Sequence, residues 1–154
     1  MALRNILQIG DPVLRKKSFA VTDFGEKTAE LLDDLKDTLK SAGGVGLAAP
    51  QVGVLRRVFI VDYEDNLFEC VNPVITERKG SCEDTEGCLS VRGKYGTVAR
   101  PTKITVKFQD RTGKPVTMKI QGYLARIFCH EYDHLDGVLY VEKANNLRDD
   151  DQDK

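Results

Sequence analysis

Tryptophan is missing from this 154-residue chain, and histidine occurs only twice, at His130 and His134. Imidazole chemistry is therefore confined to one short stretch. No apolar run approaches the roughly 20 residues of a membrane span, which excludes a spanning helix. The opening Met-Ala-Leu-Arg-Asn has neither the apolar stretch nor the cleavage site of a secretory signal. No Ser- and Arg-rich transit segment precedes the first structured positions. Charge of one sign is lacking as well: 23 Lys and Arg against 24 Asp and Glu leave a formal net charge of −1. That balance gives no reason to expect a nucleic-acid surface. Cysteine is sparse, with Cys70, Cys82, Cys88 and Cys129. An even count suits disulfides in a small secreted scaffold, but this chain has neither the size nor the signal of one. The thiols are read as reduced in a cytosol, and at least one is free to bind a metal.

What is present suits a single domain long enough to bury its own core. Asp11-Pro12 is a helix start, a cap followed by the position where Pro loses nothing. Residues 23–40 read as an amphipathic helix, with Leu32, Leu35 and Leu39 at helical spacing and Gly43-Gly44 ending it. Residues 43–53 are too rich in glycine for a helix and poor in charge for a surface loop. They suit a tight turn, or close approach to a ligand or another strand, with Gln51 the one polar side chain. A strand is expected over 56–63 and a second over 67–77, bent at Asn72-Pro73. Residues 79–87 look polar and irregular. Over 97–121, Ile104, Val106 and Phe108 alternate with Lys103, Thr105 and Lys107, and Val116, Met118 and Ile120 alternate again beyond a loop at Asp110–Lys114. A helix follows Gly122 and ends at Gly137. Leu124, Ala125, Ile127, Phe128 and Leu135 surround so much of it that it must be buried. Val138–Val141 is a short strand or packing segment. The fold expected is α+β: antiparallel β-sheets packed around a central buried helix.

That helix carries His130-Glu131-Tyr132-Asp133-His134, a His-Glu-x-x-His stretch. Residues four apart share a helix face, so both imidazoles can reach one ion from the same side. Glu131 is then placed to work on a metal-bound water instead of binding the metal. A catalytic zinc-type site usually takes three protein ligands and keeps a position open. A third histidine does not exist, and Asp136 falls on a different face. The cysteines remain; Cys88, in a Gly-flanked turn, is favoured over Cys70, Cys82 and Cys129.

Three stretches, Gly44-Val45-Gly46-Leu47-Ala48-Ala49-Pro50-Gln51, Glu86-Gly87-Cys88-Leu89-Ser90 and His130-Glu131-Tyr132-Asp133-His134, resemble in order and spacing the three signature motifs of the peptide deformylases. The opening Gly-Asp-Pro-x-Leu-Arg and the Ala125-Arg126 pair are similar too, so the likeness spans about residues 5 to 142. The resemblance implies one catalytic domain over residues 1–142, and the acidic stretch 143–154 is read as a disordered tail. It implies that Cys88, His130 and His134 hold one divalent ion, Fe2+ in the cell, with Zn2+, Ni2+ or Co2+ able to replace it. It implies removal of the N-formyl group from the N-terminal methionine of new proteins, by attack of a metal-bound water with Glu131 as general base, releasing formate. Gln51 and the Leu89 N–H would stabilise the oxyanion. Val45 and Gly46 would edge the substrate groove, and Tyr123 and Ile127 would line the methionine pocket. The implied partners are N-formylmethionyl nascent peptides and, transiently, the ribosome; the implied location is the bacterial cytoplasm. Two departures stand out. Arg92-Gly93 replaces the Pro-Gly of many members, and Cys129 stands where many have Gln. The basic C-terminal helix by which some bacterial members contact the ribosome has no counterpart in the acidic end.

Overall fold

The computed structural model describes residues 3–149. Its frame is a five-stranded antiparallel sheet in the order β1-β2-β3-β6-β7, from β1 (Gly46–Ala48), β2 (Val58–Tyr63), β3 (Asn66–Lys79), β6 (Lys103–Gln109) and β7 (Pro115–Gln121). A second, three-stranded antiparallel sheet is made of β4 (Cys82–Cys88), β5 (Val91–Arg100) and β8 (Asn145–Asp149). Two helices, α1 (Glu26–Ala42) and α2 (Tyr123–Leu135), pack on the larger sheet. This is the expected α+β arrangement around a buried helix that carries both histidines.

Strand β2 explains why the larger sheet has helices on both faces. All of Val58, Phe59, Ile60 and Val61 are buried. Side chains alternate across a strand, so Val58 and Ile60 join the leucines of α1, while Phe59 and Val61 join α2. Leu31, Leu32, Leu35 and Leu39 supply the buried stripe of α1. That helix stops at Gly43, whose φ of 73° lets its N–H reach the Leu39 carbonyl. On α2, Phe128 sits edge-on to Phe59 and Phe68, each with ring centroids 5.5 Å away. Burying such a side chain contributes about 1.5–3 kcal/mol. These contacts fix the rotation of α2 and hence the direction in which its histidines point.

Two stretches differ from expectation. Residues 79–87 are not irregular: Cys82–Cys88 form β4, paired with β5 from Cys82↔Arg100 to Cys88↔Val91. Most of this strand is solvent-exposed, so no apolar alternation marks it. The acidic end is not wholly disordered either. Asn145–Asp149 form β8 against β5, with Lys94 Nζ 2.6 Å from an Asp149 carboxylate oxygen; residues 150–154 of the expected tail lie outside the described residues. The run 43–53 becomes strand β1 followed by a 3-10 turn, Ala49–Val52. The bend expected at Asn72-Pro73 is there: the β3–β6 register shifts between Val71 and Val74, and Asn72 has a φ of 51°. The segment after α2 is a short 3-10 turn, Tyr140–Glu142, with Leu139 and Tyr140 buried.

Candidate metal centre and cleft

Cys88 is the last residue of β4, and Leu89-Ser90 is the two-residue turn that returns the chain into β5 at Val91. The turn carries the thiol to the buried face of α2. There the Cys88 Sγ lies 3.4 Å from His134 Nε2, and one donor atom from each of Cys88, His130 and His134 falls within 4.8 Å of the others. The favoured cysteine is thus the one brought to the histidines. Cys70 and Cys129 are buried elsewhere in the core and Cys82 is exposed; all four are free thiols. Asp136 instead pairs with Arg57 at 3.0 Å.

The donors are prepared to take an ion. Burial, then the neighbouring His130 and Arg100, push the His134 imidazole well below its ordinary value, which keeps a lone pair available. Its Nδ1 is buried with no hydrogen-bond partner among the described residues. His130 Nδ1 lies 2.9 Å from Glu86 Oε1, which leaves Nε2 for a ligand. A thiol and two imidazoles in this grouping fit iron, zinc, nickel or cobalt better than magnesium or calcium.

Glu131 is beside this cluster, 4% exposed, with one carboxylate oxygen unpartnered among the described residues. Burial pushes its carboxyl up to about 7, against the opposing charge of His130. It faces the backbone of β1 so closely that a Cβ at Gly46 would fall 2.6 Å from Glu131 Oε2. Glycine is needed there for contact, not for turn geometry. Gln51 is held from both ends: its Oε1 accepts from the Ala48 N–H at 2.9 Å, and its Nε2 donates to Ser90 Oγ at 3.0 Å and lies 3.6 Å from Cys88 Sγ.

All the residues proposed from sequence except His134 line one open cleft of about 510 Å3. Val45 and Gly46 stand on one wall, and Cys88 and Leu89 on another. Tyr123 and Ile127 come from the first turns of α2. Tyr123 is half-exposed and its ring centroid is 5.5 Å from that of Tyr63, whereas Ile127 is buried. His134 lies beneath the cleft, 1% exposed.

A buried ionic network was not foreseen. Glu86 receives both Arg100 Nε and Nη2 at 2.9 Å, Arg126 Nη1 at 2.6 Å and the His130 ring. Burial alone would raise its carboxyl, but the bonds to His130 and Arg100 outweigh burial and hold it well below the usual carboxylate range. Arg100 continues to Asp133 at 2.7 Å, and Asp133 to Lys143 at 2.9 Å. Arg126 also donates to the carbonyls of Val98 and Cys82. One signal was available: an arginine among the apolar residues of a buried helix, four before His130, must have a buried partner.

A carboxylate next to the first of two helical histidines, with a thiol as third donor, is the arrangement of a His-Glu-x-x-His metallohydrolase. The chain belongs to the polypeptide deformylase family, whose model matches residues 3–150. It is 52% identical over 144 residues to a peptide deformylase of Caldicellulosiruptor bescii, covering 94% of this chain and 87% of that one. To one from Pelotomaculum thermopropionicum it is 48% identical over 148 residues, covering 96% of both. The peptide deformylase structure from Thermotoga maritima superposes with a TM-score of 0.92 at 38% identity, covering 94% of this chain and 99% of that one.

Proposed function

We infer that this chain is a peptide deformylase: it hydrolyses the amide between a formyl group and the amino group of an N-terminal methionine on newly made proteins. Water adds across that bond, and the products are formate and a free amine. The observation that carries this reading is the meeting of Cys88, His130 and His134 beside Glu131 at the base of a cleft walled by the sheet-edge strand β1.

Cys88, His130 and His134 would hold one divalent ion, which we take to be ferrous in the cell and replaceable by zinc, nickel or cobalt. When bound, such an ion polarises a carbonyl and makes water more acidic. Glu131 takes the proton from the attacking water and delivers it to the leaving amine nitrogen. Its buried carboxylate favours this exchange because a pKa near the working pH suits both directions of transfer. The Gln51 side-chain amide and the Leu89 N–H donate to the oxygen that gains charge; one such donor is typically worth about 3 kcal/mol of barrier. Among the described residues β1 pairs with β2 alone, so Val45 and Gly46 can take the substrate backbone as an added strand. Tyr123 and Ile127 bound the space for the methionine side chain. Glu86 keeps His130 in one tautomer and orientation.

The same reading treats residues 1–142 as a single catalytic domain, to whose smaller sheet Asn145–Asp149 add a strand. It places the enzyme in the bacterial cytoplasm, meeting nascent chains and, transiently, the ribosome. Among the described residues no helix is long and apolar enough to cross a membrane. The test is formate release from matched formyl-methionyl and acetyl-methionyl peptides. Turnover is expected for the formyl series alone; comparable cleavage of the acetylated peptides would defeat the formyl-specific assignment in favour of a broader metallo-amidase.

A further inference from the structure

Arg92 is the second residue of β5, one position past the turn beside Cys88. Its side chain is exposed. It lines the catalytic cleft, and it also lines a neighbouring groove of about 430 Å3 formed by the N-terminal segment around Arg4 and Ile6 and the end of α1 around Thr38 and Ser41. Arg92 is the one residue common to both spaces. A peptide whose first residue sits at Glu131 must leave the cleft with its later residues. Arg92 therefore stands where the cleft and the groove adjoin.

The charges around this exit are almost all committed. Lys94 pairs with Asp149 at 2.6 Å, Arg4 with Asp34 at 2.8 Å, and Arg100 and Arg126 with Glu86. Arg92 makes no ion pair or hydrogen bond through its side chain among the described residues. The acids that line the cleft, Glu86 and Glu131, are 6% and 4% exposed and belong to its floor. The second groove has no acid in its wall. Among the described residues, Arg92 is therefore an exposed guanidinium without a side-chain partner, no exposed acid lines either space, and the exposed Asp149 carboxylate beside the cleft is taken by Lys94. A guanidinium fork is matched in shape and charge to a carboxylate.

We propose that Arg92 is a specificity-determining residue that favours nascent chains with an aspartate or glutamate shortly after the formyl-methionine. The proposal rests on the deformylase reading and deepens it by naming a substrate class. The contact is made equally in the bound substrate and at the barrier, so it acts on KM and leaves kcat alone. It is solvent-exposed, so its size is that of a surface pair, about 3- to 10-fold in kcat/KM between acid and lysine. It weakens as salt screens it.

The test uses the metal-loaded enzyme and formyl-methionyl heptapeptides that carry Asp, Ala or Lys in turn at the second to fifth residue. The wild type should prefer Asp over Lys at one of these positions, through KM, with the ratio shrinking in high salt. Arg92→Ala should bring that ratio close to one, and Arg92→Glu should invert it; inversion is a result that altered loop packing would not produce. Cleavage of the Ala peptides with no acid-to-lysine difference at any position would overturn the Arg92 assignment alone. A preference for acid that persists in Arg92→Glu would do the same. Failure to cleave any formyl peptide would overturn the deformylase reading and this inference with it.

Discussion

The two sheets are built on different physics. The five-stranded sheet is held by apolar contact: its strands β2 and β3 bury Phe59, Ile60, Cys70 and Val71 completely between two helices. The three-stranded sheet has an apolar cluster of only Val91, Val98 and Tyr140, with a few partly buried neighbours. It is tied to α2 by the charges of Glu86, Arg100, Arg126 and Asp133. The large sheet sets where α2 lies. The small one brings the sulfur to it, and does so through polar bonds that need exact geometry. Stability can therefore be lowered through the large sheet without disturbing the metal site, whereas damage to the small sheet's polar ties should reach both, and this can be tested.

The largest effect belongs to the residue at the junction. Glu131→Gln keeps the shape of the side chain and removes its role in proton transfer. It is expected to lower kcat by about 10²- to 10⁴-fold with the fold and metal content unchanged, as measured by formate release, circular dichroism and elemental analysis. A variant with full turnover would remove Glu131 from the mechanism.

The next pair of substitutions sets the sheets against each other. Glu86→Ala removes the buried carboxylate that Arg100 and Arg126 share and frees the His130 ring. A cost of about 3–5 kcal/mol is expected from breaking such a buried network, together with about 10- to 100-fold weaker metal binding. Leu35→Ala in α1 should cost about 2–5 kcal/mol through its cavity and leave metal affinity as it was. Urea unfolding and competitive metal titration read the two quantities. If Leu35→Ala loosened the metal as much as Glu86→Ala does, the division between the sheets would be wrong.

Chelation should act more locally. On the proposed ligand set, removing the ion would release Cys88, at the end of β4, from the two histidines of α2. Amide exchange is expected to rise in Cys82–Arg100 and to change little in Val58–Tyr63, where protection follows the apolar core. Uniform loss of protection would mean that the ion holds the whole fold together.

This contrast also explains what could be read from the chain. Helix α1, the β6–β7 hairpin and the buried α2 were legible because a core imposes a period on the residues that face it. Strand β4 was not, since Glu83, Asp84 and Thr85 are all exposed and alternate nothing. Strand β8 was hidden in the same way: an acidic, polar run looks solvated until β5 pairs with it. The ligand cluster stood out because the metal demands particular atoms at particular spacings. Glu86 stood within a recognised stretch, yet its role depends on Arg100 and Arg126, whose convergence exists only in three dimensions.

The smallest effect comes from the thiols, which sample the two sheets directly. Cys70 lies on β3 and is fully buried, and burial followed by the charge of Glu69 raises its thiol well above the ordinary value. Cys82 opens β4 and is exposed. In the metal-loaded protein a thiol reagent should modify Cys82 quickly and Cys70 only as fast as the protein unfolds, because the thiolate is the reacting form. The sign of the pH dependence follows. Above the ordinary thiol value the unfolded chain gives up the Cys70 proton while the folded protein keeps it, so unfolding releases a proton. The Cys70 contribution to stability is complete below that value and is lost as pH rises toward the folded one. Replacing Cys70 with Ala should flatten this alkaline decline, and replacing Cys82 should leave it unchanged. Equal labelling rates for the two thiols in the folded protein would mean that the large sheet opens as readily as the small one, against everything its packing implies.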